Sequence, residues 1–310
     1  MKKKVSTEWL SACGGCHVSI VDLHEKILQL FDSIELHRCP VLTDIKDYPD
    51  VDIGIISGAI RTEHDIDAAK KMRESCKHIL AFGTCAVFGG ISGAGCVHSN
   101  DEIFNTVYKN GKTTSSDTVP SDVPKLTKQV VPIDHFIDVD LYLPGCPPHP
   151  AFTLSSISSI VNNKPPRETF RNICAGCKRK MFKNETVTKI KTFLNGIPDL
   201  ETCFLSQGYL CFGPVTLNRC LAACPKNGVL CTGCCGPSIS VLQEPTIDIR
   251  TRIAELMSHL TKIKKDDIIS EIERSSKTHY AYAMASDMIY NKQTYQIWRW
   301  MKDGNKNKEE

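Results

Sequence analysis

Along the first half of the chain, short and nearly unbroken apolar runs alternate with stretches in which apolar residues recur every three or four positions. Residues 4–10 read as a strand. In residues 17–31, Ile20, Leu23, Ile27, Leu30 and Phe31 share one helical face while Glu25 and Lys26 point away, which predicts one amphipathic helix. VDIGIISGAI (51–60) and HILAFGTCAV (78–87) predict buried strands, with a helix over 63–75 between them. A polar insertion (98–131) precedes DVDLYLPGCPP (138–148), which reads as a further strand and leads into a helix at 150–162. Strands that are apolar on both faces need helices on both sides, so the pattern predicts an α/β domain built on a parallel sheet.

From about residue 168 the pattern changes. Residues 171–238 hold nine cysteines at short spacings among many glycines and prolines, too few apolar positions for a large core, so bound centres are expected to do part of the folding. Residues 246–302 return to helical spacing, with Ile249, Ile253, Leu256, Met257 and Leu260 in one stripe that reads as a packing face. The end, KDGNKNKEE, reads as a frayed polar terminus. The expected division is therefore 1–167 and 168–310.

Composition changes this picture in one respect. A chain of 310 residues with 41% hydrophobic and 24% charged residues is of globular type, and a net charge of +3 with scattered basic residues carries no nucleic-acid signature. Sixteen cysteines stand out. The first residues show neither a secretory h-region nor a twin-arginine pair, and no apolar run approaches the ~18 residues of a membrane span, so a cytoplasmic protein without membrane insertion is expected. Cysteines kept reduced in that compartment argue for metal.

Ligands of a parallel sheet bind beyond the carboxyl ends of its strands. Cys13 and Cys16, Cys85, and Cys146 each follow the end of a predicted strand, which puts four thiols on one rim. Gly14, Gly15, Gly83 and Gly145 beside them suit a backbone that passes close to an inorganic core. Zinc sites favour ligands close together in sequence, so a site drawn from residues 13, 16, 85 and 146 is unusual for zinc. The second half adds CAGC (174–177), Cys203, Cys211, CLAACP (220–225) and CTGCC (231–235). Cysteine followed by proline and grouped with CxxC pairs is a feature of iron–sulfur binding, and three groups of four predict several clusters.

These residues carry a family resemblance. The motifs CGGC (13–16), GTCAVFGG (83–90), LPGCPPHP (143–150), CAGCKRK (174–180), GYLCFGPVT (208–216) and CTGC (231–234) occur in order over about residues 5–240. The chain resembles the small subunit of a [NiFe]-hydrogenase, of the F420-non-reducing (methyl viologen-reducing) or F420-reducing kind found in methanogens and related anaerobes. The resemblance implies a flavodoxin-like first domain followed by a smaller iron–sulfur domain with a helical C-terminal extension. It implies three [4Fe-4S] clusters: a proximal one on Cys13, Cys16, Cys85 and Cys146, a middle one on Cys220, Cys224, Cys231 and Cys234, and a distal one on Cys174, Cys177, Cys203 and Cys211. Many relatives place a histidine where this chain has Cys174, and some have a proline in the middle site where Cys224 stands.

The chain lacks anything like the paired CxxC motifs that hold nickel and iron in the family's large subunit, so its expected role is electron transfer, with no catalytic residue of its own. The implied partners are that large subunit and then either a small [2Fe-2S] subunit with a flavin-containing heterodisulfide reductase complex, or, for a gamma-type subunit of an F420-reducing enzyme, an F420-binding flavoprotein. A hydrogen-sensing regulator is the alternative from another class. A quinone-reductase subunit of the same fold would carry two adjacent cysteines at the first site and one cluster. Of the remaining cysteines, Cys39, Cys76 and Cys96 read as small buried hydrophobes, and spacing favours Cys234 over Cys235 as the ligand. His17 and His149 stand beside the motifs and are left open between site and scaffold. With the rim taken by a cluster, no flavin is expected.

Overall fold

A computed structural model describes residues 2–114, 116, 118–162, 164, 171–243, 248–275 and 281–286. The first half runs β1 (Lys3–Trp9), α1 (Gly15–Val21), α2 (Lys26–Ser33), β2 (Ile34–Arg38), β3 (Val51–Ser57), β4 (Ile60–Thr62), α3 (Glu63–Ser75), β5 (Cys76–Phe82) and α4 (Thr84–Phe88). It continues through α5 (Asn100–Phe104), β6 (Leu126–Val131), β7 (Leu141–Leu143) and α6 (Pro150–Val161). The second half holds α7 (Ala223–Lys226), α8 (Ile239–Gln243), α9 (Ile249–Leu260) and α10 (Lys265–Arg274), joined by short 3₁₀ turns.

Five strands pair in parallel in the order β2-β1-β3-β5-β7, the flavodoxin-like arrangement. The apolar runs at 51–57 and 76–82 form its centre, with Ile53, Ile55, Ile56, Ile79 and Leu80 almost fully buried. One face packs on α1, α2 and α6 through Leu23, Leu30, Phe152 and Ile157. The other packs on α3 and continues into the second half through Met72, Phe88, Phe212, Val215 and Ile253.

Three expectations need correction. The helix expected over 17–31 is two helices, broken at Asp22–Glu25 where His24 takes φ 50°. The period survives because both pieces press the same apolar positions onto one sheet face, including Leu23 at the break. β2 escapes the apolar-run criterion because it is an edge strand whose Glu35 and His37 alternate outward. The polar insertion contains β6, which pairs antiparallel with β4 in a two-stranded sheet beside the main one.

Residues 171–243 have few regular elements, yet they are not without a core. The stripe Ile249, Ile253, Met257 and Leu260 on α9 is buried in the same cluster as Phe204, Tyr209 and Phe212. The terminal KDGNKNKEE and the boundary expected at 167/168 lie outside the described residues. Among the described residues no helix is long and apolar enough to cross a membrane.

Candidate metal centres

The first group of thiols forms where β1, β5 and β7 end. Cys13 and Cys16 lie in the loop into α1 and in its first turn, Cys85 in α4 and Cys146 just after β7. Burial first, then the neighbouring thiols Cys85, Cys146 and Cys13, push Cys16 well above the ordinary thiol value. The same causes, with Cys234 among the neighbours, push Cys146 up to about 12. The four expected sulfurs are therefore within one another's electrostatic reach.

The backbone is shaped around them. Gly83 takes φ +91°, and a Cβ there would stand 2.3 Å from the Cys16 Sγ. At Gly90, φ +60°, a Cβ would stand 2.4 Å from the Cys85 Sγ. Only glycine lets the chain pass this close at these angles. Backbone N–H groups of Ile91 and Ser92 point at the Cys85 sulfur, and the Gly15 amide donates to Cys13 Sγ at 3.4 Å.

The second group gathers Cys174, Cys177, Cys203 and Cys211 around a small cavity shared with Ile173 and Phe204. Burial, then Cys211, Cys203 and Cys177, raise Cys174 to about 12, and burial lifts Cys211 to about 11 against N–H donation from Cys231 and Gly213. Arg179 braces this loop: its guanidinium donates to the carbonyls of Pro225 and Thr202 at 3.1 and 3.0 Å and stacks on Phe204 at 3.8 Å.

The third group holds five thiols. Burial and the neighbouring sulfurs of Cys234 and Cys220 raise Cys224. Cys235 hydrogen-bonds both Cys220 and Cys234, which lowers those two. Cys231 is raised by burial and then by Cys211, a member of the second group, with Cys234 a weaker neighbour. The third group thus lies within electrostatic reach of both others, through Cys234 and Cys146 on one side and Cys231 and Cys211 on the other.

Sets of neighbouring thiols that are in part buried, as Cys16, Cys85, Cys211 and Cys231 are, cannot all ionise without cations among them. No group of three or more His, Cys, Asp or Glu among the described residues is disposed to hold a single metal ion. Thiols that feel one another yet do not converge on a point suit a larger inorganic core, and the glycine passages leave room for it. The residues fit iron–sulfur clusters.

Other candidates resolve as scaffold. His17 is buried with its ring nitrogens on Thr7 Oγ1 (3.0 Å) and Ser57 Oγ (3.1 Å), and burial lowers its pKa. His149 caps α6, its Nδ1 accepting the Ala151 amide at 3.2 Å. Cys39 and Cys76 are buried, and Cys96 is half-buried with its thiol directed at the Val130 carbonyl. Two residues escaped the sequence reading. Thr84, inside the GTC motif, donates to the Cys234 carbonyl at 2.6 Å and accepts the Gly145 amide at 2.9 Å, tying the first group to the third. Tyr282 hydrogen-bonds Thr232 within electrostatic reach of Cys146, Cys234 and Cys224. Nothing in the spacing of residue types marks either.

The family described as NADH ubiquinone oxidoreductase, 20 Kd subunit, matches residues 13–160, which hold the first thiol group and every strand of the sheet but β1. A vhu-type F420-non-reducing hydrogenase subunit of Methanococcus voltae is 38% identical over 76% of this chain and 82% of its own length. The iron-sulfur subunit of the F420-non-reducing hydrogenase of Archaeoglobus profundus is 33% identical over 94% of this chain and 99% of its own. A chain of an NAD+-reducing [NiFe]-hydrogenase, solved in its H2-reduced state, superposes with a TM-score of 0.53 at 28% identity, covering 55% of this chain and 96% of that one. The chain belongs to the family of small, iron–sulfur subunits of [NiFe]-hydrogenases, of the F420-non-reducing type.

Proposed function

We propose that this chain is an electron relay that holds three [4Fe-4S] clusters between a hydrogenase large subunit and a further redox subunit. Cys13, Cys16, Cys85 and Cys146 hold the proximal one, Cys220, Cys224, Cys231 and Cys234 the middle one, and Cys174, Cys177, Cys203 and Cys211 the distal one. The observation that carries the reading is the continuity of the three thiol groups, through Cys146–Cys234 on one side and Cys231–Cys211 on the other. When bound, such clusters take up and release single electrons. The protein's part is to fix their order, exclude water and aim N–H groups at the sulfurs. The residues serve two units, 1–167 with the proximal site and 168–310 with the other two.

Each end of this series adjoins exposed apolar surface. Near Cys13, Trp9, Val18, Val21, Val41 and Leu42 are exposed around an apolar cavity of about 260 Å³, a face suited to the large subunit. Beyond Cys177, Leu194 and Ile197 are 97% and 90% exposed, and Lys178, Lys180, Lys189 and Lys191 are exposed with them. That basic, apolar face suits an acidic electron acceptor. The relatives' F420-non-reducing type favours a small [2Fe-2S] subunit and a flavin-containing heterodisulfide reductase complex over an F420-binding flavoprotein. Such an assembly is cytoplasmic. Two measurements test the reading: about twelve irons are expected in this chain when it is separated from its partners, on four per cluster, and the purified native complex should show H2-driven dye reduction that the isolated chain lacks. About eight irons would remove one cluster, and very slow turnover would favour a hydrogen sensor.

A further inference from the structure

The turn that wraps the Cys85 sulfur is built on glycines. Gly90 brings it in, where a Cβ would stand 2.4 Å from the Cys85 Sγ, and the Gly93 amide donates to the Gly90 carbonyl at 3.0 Å to close it. Gly89 and Gly93 have no side chain to cover the turn, yet both are buried. The cover comes from far along the chain. The 3₁₀ turn Ala281–Ala283 packs on α4 and on the 3₁₀ turn Ile91–Val97. The Ala285 methyl then enters the notch: a Cβ at Gly89 would stand 2.5 Å from it, and one at Gly93 2.7 Å. Ala285 packs on the small apolar cluster that Cys85 forms with Ala59 and Val130. Ala283 and Ser286 on either side are buried, and the Ser286 amide donates to the Ala283 carbonyl at 3.2 Å.

We propose that residues 281–286 are a strap over the proximal site: Ala285 is a positioning residue whose methyl, keyed between Gly89 and Gly93, holds the 89–93 turn on Cys85 and keeps water from the cluster. The proposal rests on the reading of a proximal cluster at Cys13, Cys16, Cys85 and Cys146. Its physics is that of close packing. A turn whose glycines contribute no side chain opens to solvent unless another segment fills the space beside it. Amides aimed at a ligand sulfur, as those of Ile91 and Ser92 are at Cys85, hold it only while the turn stays shut. The fit is also exclusive, since neither glycine can gain a Cβ without displacing Ala285. Gly93 is the cleaner lever of the two. Gly89 takes φ +82°, which strains any side chain, whereas Gly93 lies outside the left-handed region and the nearest atoms its Cβ would meet are all those of Ala285.

The test compares the purified complex carrying the wild-type chain, Gly93→Ala, and the pair Gly93→Ala with Ala285→Gly, which moves the methyl across the notch. Each is exposed briefly to D2O and reduced, and deuterium coupling to the proximal cluster is read by electron–nuclear double resonance. Deuterium is expected near that cluster roughly tenfold faster in Gly93→Ala, the scale of opening that one overpacked methyl produces. The distal cluster serves as internal reference and should keep its wild-type rate. The pair should return toward wild type, which a role of Gly93 independent of the strap would not allow. Wild-type uptake in Gly93→Ala would overturn the proposal, and so would a pair that stays as open as the single variant. If Gly93→Ala does not assemble, assembly restored in the pair supports the strap, and a pair that also fails overturns it. A wild-type complex with no proximal signal would overturn the cluster reading, whereas a normal signal indifferent to the substitutions would overturn the strap alone.

Discussion

Replacing Thr84 with valine isolates the joint between the two halves of the chain. Thr84 is 1% exposed, and its hydroxyl serves two partners, donating to the Cys234 carbonyl at 2.6 Å and accepting the Gly145 amide at 2.9 Å. Valine keeps nearly the same shape and removes both bonds. Each buried group left without a partner costs about 1–3 kcal/mol, and the added methyl returns about 0.8 kcal/mol. A net loss of about 3 kcal/mol is a rise of about a hundredfold in local opening at the joint. Hydrogen exchange on the intact complex reads this at the Gly145 amide, which the hydroxyl protects, and at Leu217, whose amide bonds the Gly236 carbonyl in the loop after Cys234. Exchange is expected to speed up at both sites in Thr84→Val and to stay near wild type in Thr84→Ser. If the Gly145 amide in Thr84→Val exchanges at the wild-type rate, the hydroxyl does not hold the joint.

Gly83→Ala drives a Cβ to 2.3 Å from the Cys16 Sγ at a backbone angle that disfavours side chains, and is expected to lower iron from about twelve to about eight atoms per chain. Arg38 pairs with Glu8 at 2.6 Å, both buried, and lies over the Tyr48 ring at 4.4 Å, so Arg38→Ala strands a buried carboxylate and should cost about 3–5 kcal/mol in thermal unfolding. At Asp140, burial favours the neutral acid, but hydrogen bonds from His78, the Ile79 amide and Arg73 outweigh it and hold the carboxyl below the ordinary 3.8. Its contribution is therefore fully present above about pH 4 and lost as pH falls below it, so urea unfolding should find Asp140→Asn less stable by a constant amount above pH 4 and equal to wild type in stronger acid. Reversing Lys189 and Lys191 to glutamate should weaken capture of an acidic acceptor and flatten its salt dependence while leaving iron content unchanged; an unaltered salt dependence would move the exit face elsewhere.

What the sequence reveals of this site, and what it hides, follow from the same physics. Cys13, Cys16, Cys85 and Cys146 can be grouped from sequence because buried parallel strands announce themselves as apolar runs, and the ends of such strands share one rim. Thr84 and Tyr282 are hidden for the converse reason. Their partners lie far off in the chain, 150 residues away for Thr84, and a hydroxyl that bonds a distant carbonyl, as in Thr84, or a distant side chain, as in Tyr282, leaves no pattern in residue type. α9 shows the middle case: its stripe of Ile249, Ile253, Met257 and Leu260 is plain, but only the fold tells that it shares one apolar cluster with Phe204, Phe212, Cys211 and Cys231. That shared cluster revises the expected division of labour. Nine cysteines among turns suggest a lobe that metal must fold, whereas here α9 and the underside of the sheet supply an apolar floor that holds the thiols in place. A floor of this kind keeps thiols apart before any cation joins them, which favours pre-organised uptake of a cluster over folding around it. Removing iron should therefore loosen the cysteine loops while the protection of α9 persists in hydrogen exchange. Collapse of α9 protection on chelation would show that the metal builds the floor.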